Sequence, residues 1–415
     1  MSKLKDYCLN ITDGEHGTIS EDKEGDYYLL NNNNITETGI IINESDRRIS
    51  KQNYEKMHKR TQMEKGDVVI ATCGTLGKTQ VITDEVINYE FSRSVGIYKC
   101  DKEKLLPYYL HYAFKNPISQ KKIENCAKGA IQKHFYIQDM EEFEIEIPDI
   151  LTQQKIVNVV KSIDDKIQNN NKINAELESM AKSIYDYWFL QFEFPNEEGK
   201  PYKLSGGKMV WNEELKREIP EGWEVTYLSE LCDFNNGINY DKDELGDKNY
   251  SIINVRNITS STLLLDKSDF DIINLKSSQA DKYLVEKDDI LIARSGTPGA
   301  VRLLESDIEN IIYCGFIIRC KPLNPVQRYY LAYSLKLLEG SNATKTGGSI
   351  MQNVSQDTLK QINICIPDDD VIEKYNNSVS VILSKMQNVI EENCELTSLR
   401  DFLLPLLMNG QVGFK

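Results

Sequence analysis

The chain has 415 residues, 40% of them apolar and 27% charged, and 64 Asp and Glu outnumber 49 Lys and Arg to give a formal net charge of −15. This is the composition of a soluble globular protein long enough for two or three domains, each with its own core. No stretch of eighteen apolar residues suggests a membrane span, Met1 to Asp6 lacks signal-peptide character, and the acidic balance at face value argues against nucleic acid.

Nine scattered cysteines without a Cys-x-x-Cys pair fit a reduced, cytoplasmic chain rather than a disulfide framework or a zinc site. The four histidines, His16, His58, His111 and His134, stand at no ligand spacing, so no structural metal is expected.

In chain order, the first informative segment is Tyr27 to Thr36, which ends in Asn34-Ile35-Thr36. It aligns with Tyr250 to Thr259, ending in Asn257-Ile258-Thr259, at an offset of 223 residues. Arg47 to Lys65 then concentrates seven basic residues (Arg47, Arg48, Lys51, Lys56, Lys59, Arg60, Lys65) against Glu55 and Glu64. Local charge outweighs total charge for a phosphate-tracking face, because salt confines the field to roughly 8 Å. A solvated helix face is the plainer reading of the same residues.

Asp67 to Ala71 reads as a strand running into the glycine turn Cys73-Gly74-Thr75-Leu76-Gly77. The same strand and turn return as Asp289 to Ala293 and Ser295-Gly296-Thr297-Pro298-Gly299, offset 222. Tyr108 to Lys115, in a predicted helix, returns as Tyr329 to Lys336 at offset 221. A glycine-bearing loop, Lys128 to Phe135 in one copy and Gly347 to Asn353 in the other, precedes strands ending in Pro148 and Pro367. Glycines beside Gln, Lys, His or Asn suit a loop laid against phosphates and base edges, and equally a polar surface loop. The order is kept throughout, so the chain is a tandem duplication of a domain plus a connector.

Each proline is followed by a long helical pattern. Ile156, Val160, Ile163, Ile167, Asn170, Asn174, Leu177, Ala181, Ile184 and Trp188 step by four and three. Ile372, Tyr375, Val379, Ile382, Met386, Val389, Asn393 and Leu396 do the same, so both carry the seam of a coiled coil. Connectivity demands that the two helices run antiparallel, with a globular domain at each end of the resulting rod. Asn174 and Asn393 occupy equivalent seam positions and are expected to pair and set the register. The segment 193–222, rich in Pro, Gly and charge, reads as a linker.

The predicted organisation is therefore α+β. A first α/β domain spans 1–149, a central helix 150–192, the linker 193–222, a second α/β domain 223–368 and a C-terminal helix 369–415. The domains are pseudo-symmetric and separated by a long antiparallel two-helix coiled coil. Catalytic patterns do not occur. Gly74-Thr75-Leu76-Gly77-Lys78-Thr79 falls two residues short of a phosphate loop, and its repeat, Gly296 to Val301, lacks the lysine and hydroxyl.

The duplication, the Lys65-Gly66-Asp67-Val68-Val69-Ile70 strand, Gln153-Gln154-Lys155-Ile156 through Ile167 and Tyr185-Asp186-Tyr187-Trp188-Phe189 together resemble the specificity subunit of Type I restriction-modification enzymes. Ile219-Pro220-Glu221-Gly222-Trp223 and Leu403-Leu404-Pro405-Leu406-Leu407-Met408-Asn409-Gly410 extend the resemblance over essentially the full length. It implies a non-catalytic, cytoplasmic chain with two target-recognition domains, each reading half of a split double-stranded DNA sequence. The implied partners are two methyltransferase subunits, which carry the S-adenosylmethionine, and in the full complex restriction and translocase subunits using ATP and Mg. No cofactor is expected on this chain, and no membrane. The specificity subunit of a related enzyme cutting on both sides of its site, and a bivalent protein-binding scaffold, are the alternatives.

Base-reading residues vary with target in that family, so the candidate DNA contacts rest on charge and loops. They are Arg47, Arg48, Lys51, Lys59, Arg60, Lys128, Lys133 and His134 in the first copy. In the second they are Arg256, Lys276, Arg294, Arg302, Lys345 and Gln352.

Overall fold

The computed structural model describes residues 1–84, 87–128, 133–241, 246–260, 262–306, 308–339 and 353–413. Two compact units are present, one of residues 1–168 with 395–415 and one of 169–394.

The first unit contains β1 (Ser2–Lys3), β2 (Cys8–Asp13), β3 (Tyr27–Leu30), β4 (Arg47–Ile49), β5 (Val68–Ala71), β6 (Thr79–Val81), β7 (Tyr89–Phe91), β8 (Val95–Cys100) and β9 (Glu144–Ile145). A four-stranded sheet has the order β2-β8-β5-β6, a three-stranded sheet has β4-β3-β7, and β1 pairs with β9. The apolar run of β5 is buried on both faces, as its lack of polar alternation requires. Val68 and Ile70 pack with Tyr109, Leu110 and Phe114 of the helix Pro107–Lys115. Val69 and Ala71 join Leu30 and Phe91 on the other side. Ile156, Val157 and Val160 of one long helix and Leu404, Leu407 and Met408 of the other complete the first of these cores.

The second unit opens with a hairpin of β10 (Met209–Asn212) and β11 (Arg217–Pro220). It continues with β12 (Glu224–Tyr227), β13 (Cys232–Asn236), β14 (Lys248–Ile253), β15 (Asp271–Leu275), β16 (Ile290–Ala293), β17 (Val301–Arg302), β18 (Ile311–Tyr313), β19 (Ile317–Pro322) and β20 (Asn363–Ile366). Its sheets, β13-β19-β16-β17 and β15-β14-β18 with the pair β12-β20, match the first unit strand for strand. The register matches too: Val68 opposite Tyr98 becomes Ile290 opposite Cys320, each shifted by 222. Ile290 and Ile292 face one core, Leu291 and Ala293 the other. The duplication seen in the sequence is thus a duplication of topology.

The long helices span Ile150–Tyr185, extended by a π-helical turn at Asp186–Leu190, and Asp369–Met408, with Pro405 near its end. Every predicted seam residue is buried or half-buried, and none is exposed. In the second unit Asn170 meets Asn393 while Tyr185 packs edge-on against Tyr375, so the helices are antiparallel. In the first unit Asp164 pairs with Arg400, in the same sense.

Each long helix contributes to both units: residues 150–168 and 395–408 lie in the first, 169–185 and 369–394 in the second. Two expectations need correction. Residues 193–222 are not an unstructured linker, because Phe194, Ile219 and Trp223 are buried in the second unit's core and Phe194 stacks on Trp223 at 5.1 Å. Phe194 and Ile219 of the segment, with Trp223 just after it, outweigh the local Pro and Gly content, since each buried side chain contributes about 1.5–3 kcal/mol. Finally, Asn393 pairs with Asn170 rather than with Asn174, whose Oδ1 is buried without a hydrogen-bond partner. Asn170 and Asn174 lie one turn apart on the same face, and the packing around the seam selects the earlier one.

Candidate nucleic-acid interface

The segments that repeat in the sequence converge at one end of each four-stranded sheet. In the first unit β2 and β5 finish there and β8 begins there, because β8 is antiparallel to both, and the parallel pair β3 and β7 ends beside them, where Ser92 N–H donates to Leu30 O and Glu15 N–H to Phe91 O. The glycine turn joins β5 to β6 as a hairpin. Gly77 N–H donates to Ala71 O at 2.9 Å, and Gly74 and Gly77 take φ values of 66° and 84°. In the second unit Gly299 N–H donates to Ala293 O at 2.8 Å, and Gly296 and Gly299 take 77° and 85°. Glycine populates this left-handed region without the Cβ penalty, which is why both copies keep it. The turn is a structural hairpin, as the mismatch with a phosphate loop predicts.

Around the turn the other loops are tied by main-chain bonds. Thr72 N–H donates to Ser94 O, and Thr72 O accepts from Phe135 N–H, both at 2.9 Å. Phe135, and Lys128 through its paired main-chain bonds to His134, are thereby held beside the glycine turn. In the second unit Arg294 N–H donates to Phe316 O at 2.9 Å, and Arg294 O accepts from Val354 N–H at 3.0 Å.

The Asn-Ile-Thr repeat closes the same end. Asn34 Oδ1 accepts from Asn31 N–H at 2.9 Å, and Asn257 Oδ1 accepts from Asn254 N–H at 2.8 Å. Both asparagines are buried, so they shape the loop rather than present themselves to a ligand. Asn32 and Thr75 bond across to the glycine turn at 3.3 Å, and Thr259 and Thr297 do so at 2.9 Å.

The basic segment of the first copy is an edge strand and a helix. Ser50 caps the helix Lys51–Thr61 through Asn53 N–H. Its inner face is fixed by buried Met57, by Tyr54 stacked on Tyr27 at 4.4 Å, and by His58 and Thr61, which reach the buried Glu90 at 2.8 and 2.9 Å. Burial raises the Glu90 carboxyl above its ordinary range, against the His58 contact. Lys51, Lys56 and Lys59 remain on the outer face, exposed, with Arg47 exposed on β4. Arg48 lies over the Tyr28 ring at 5.6 Å.

Other candidates are already engaged. Arg60 donates to Gly14 O at 2.6 Å and to Thr12 Oγ1, and sits 3.5 Å from Asp13, pinning the loop after β2. Lys128 pairs with Asp139 at 3.1 Å, Lys133 donates to Glu124 O at 3.3 Å, and the His134 ring stacks on Tyr136. Arg256 forks onto Asp271 and Asp269 O, each at 2.8 Å, and Arg294 donates to Gly315 O at 3.0 Å. Lys276 is exposed before the short helix Ser277–Ala280. Arg302 must be removed from any contact surface: it is buried, with its guanidinium committed to Ile258 O, Val301 O and Glu339. Lys345 and Gln352 lie outside the described residues.

Several residues at the same end went unread in the sequence. His16, bonded to Asp13 at 2.7 Å, and exposed Arg93 belong to the first copy, and exposed Asn239 and Phe316 to the second. Gly14 and Gly237 are a further equivalent pair, each packed so tightly on the β7–β8 or β18–β19 turn that a Cβ would collide with main-chain carbonyls. The repeated Asp13-Gly14 and Asn236-Gly237 doublets were the available signal.

Among the described residues no cluster of His, Cys, Asp or Glu is arranged to hold a metal ion, and no helix is long and apolar enough to cross a membrane. The site is a rim of loops, amides and cations on a rigid sheet end.

Comparison with known proteins agrees with this division. The family model described as "Type I restriction modification DNA specificity domain" matches residues 9–179 and again 220–398. The Type I restriction enzyme MjaIX specificity subunit of Methanocaldococcus jannaschii is 25% identical over 383 residues, covering 90% of this chain and 83% of the relative. The HindI specificity subunit of Haemophilus influenzae is 23% identical over 474 residues, covering 99% of this chain and all of the relative, 100%. The crystal structure of a Type I restriction-modification S subunit from M. genitalium shares the fold, with a TM-score of 0.55 at 19% identity over 98% of this chain and 95% of that one. With both halves matched by the same model, the chain belongs to the Type I restriction-modification DNA specificity family, of which it carries two domains in tandem.

Proposed function

We propose that this chain is the non-catalytic specificity subunit of a Type I restriction-modification enzyme, and that each sheet end reads one half of a split duplex DNA target. One observation carries this reading: the two units share strand order and register, yet their loop ends differ in chemistry. A shared scaffold with different side chains at the same place is what two readers of different half-sites require.

Two methyltransferase subunits would dock on the chain and supply the S-adenosylmethionine for adenine methylation, with ATP- and Mg-dependent translocating nuclease subunits joining the full complex in the cytoplasm. The chain itself needs no cofactor for its part. Its acidity is compatible with DNA binding because phosphate neutralisation is shared with the partners, and the exposed Arg47, Lys51, Lys56 and Lys59 supply a local cationic face.

The test is to express the chain with its methyltransferase partner and map methylated adenines across a genome. A bipartite motif is expected. Exchanging residues 1–149 for the matching domain of a relative should change one half of that motif. Methyl transfer by the purified chain alone, or a change in both halves, would sink the proposal. A bivalent protein scaffold would instead show no salt-dependent DNA affinity.

A further inference from the structure

The β18–β19 turn of the second unit, Cys314-Gly315-Phe316, presents an aromatic ring to solvent at 60% exposure. The ring is not carried on a loose loop. Phe316 O accepts from Arg294 N–H at 2.9 Å, the Arg294 guanidinium holds Gly315 O at 3.0 Å, and Ile317 N–H closes the turn onto Cys314 O at 2.9 Å. Beside it a depression of about 560 Å³ is lined by Asn239, Tyr240, Asn254 and Arg256 among others. Tyr240, Asn254 and Arg256 are occupied with one another or with Asp271. Asn239 is exposed and its side-chain amide has no hydrogen-bond partner among the described residues. Its Oδ1 rests where a Cβ on residue 315 would stand, so Gly315 seats it.

The same main-chain bond, shifted by 222, identifies the counterpart of Phe316 as Ser94, whose O accepts from Thr72 N–H. Ser94 is turned inward, with its hydroxyl on Ser92 Oγ and Asn32 N–H at 2.8 and 3.1 Å. The first copy thus uses this position to brace its loop, while the second uses it to display a ring. A rigid exposed aromatic beside a free amide costs little ordering on binding, which is the character of an interface anchor.

Resting on the reading of this chain as a DNA specificity subunit, we infer that Phe316 and Asn239 read one A·T base pair in the half-site of the second unit. An asparagine amide matches the N6 and N7 edge of adenine bidentately, and a phenylalanine ring contacts the thymine methyl. One A·T pair displays both features in the same groove, and no other pair offers them together.

The experiment uses the full chain co-expressed with its methyltransferase partner, with methylated adenines sequenced in a randomised-site DNA library. Phe316→Ser, which installs the residue of the first copy, and Asn239→Ala are compared with the unaltered chain. Each is expected to relax discrimination at one A·T position by about five-fold or more. That position should lie in the half of the motif left unchanged when residues 1–149 are exchanged. An unaltered motif, relaxation at a G·C position, or relaxation in the other half overturns the inference while leaving the specificity-subunit reading intact. Methylation with no sequence motif in the unaltered complex overturns both.

Discussion

Asn170 donates its side-chain N–H to Asn393 Oδ1 at 2.9 Å, and the same Nδ2 lies 2.7 Å from Glu392 Oε2, so a fully buried amide from one long helix is answered by two groups of the other. Asn393 in turn donates to Asn171 Oδ1 at 2.9 Å. The residue at Asn170's repeat position in the second helix, 219 residues on, is Val389, which offers Asn174 no equivalent answer.

This asymmetry makes opposite predictions for two asparagines one turn apart. Asn170→Ala strips partners from Asn393 and Glu392 in a buried setting and should cost about 1–3 kcal/mol. Asn174→Leu removes a buried oxygen that already lacks a partner and should be neutral or stabilising by about 1 kcal/mol. Urea midpoints of the two variants decide the matter; equal losses would contradict the register described.

His111 is buried in the first unit, its Nδ1 without a partner, and burial, aided by Lys115 and Arg400, lowers its pKa to about 3. The unfolded chain takes up a proton near pH 6.5 that the folded chain refuses. Stability should therefore be lost as pH falls below about 6.5, by on the order of 2 kcal/mol down to pH 5. His111→Ala, which places the second copy's Ala332 there, adds a pH-independent cavity cost but removes this slope. Denaturation measured at several pH values separates the two effects.

Asp289 shows the opposite sign. Burial raises its pKa to about 6, against the Glu286 N–H bond at 2.7 Å and the nearby Arg319. The folded chain holds a proton that the unfolded chain releases near pH 4, so this group withdraws stability as pH rises from about 4 to 6. Asp289→Asn keeps the acceptor for Glu286 N–H without the charge. Its stability relative to the unaltered chain should improve across that window, by on the order of 2 kcal/mol. A flat difference would mean that Arg319 compensates the buried carboxylate fully.

Gly237→Ala forces a Cβ into the main-chain carbonyls of Tyr313 and Cys314, and Gly14→Ala does the same at Phe91 and Ser92. Backbone cannot rotate away as a side chain can, so each loop end must shift, at a cost of about 1–3 kcal/mol. Gly237→Ala should blur only the half-site assigned to the second unit, and Gly14→Ala only the other. Methylation mapping with either variant checks this, and loss of both halves together would argue that the loop ends do not act separately.

The duplication, the buried central strands, the glycine hairpins and the seam of the long helices are legible in the chain without its fold. All of these are set by periodicity or by local backbone requirements, which neighbours in the chain reveal. Val68 to Ala71 needs no partner to read as a strand, and Gly74 and Gly77 need none to read as a turn. Which polar groups meet is settled only by the folded contacts. Asn170 rather than Asn174 faces Asn393, Arg302 turns into the core instead of outward, Arg60 clamps Gly14, and Phe194 and Trp223 fold a segment that composition marks as a linker. Each outcome depends on contacts between residues dozens to hundreds of positions apart. The partner, its distance and its burial arise only when the sheets and helices close on one another, and a charge count along the chain contains none of them.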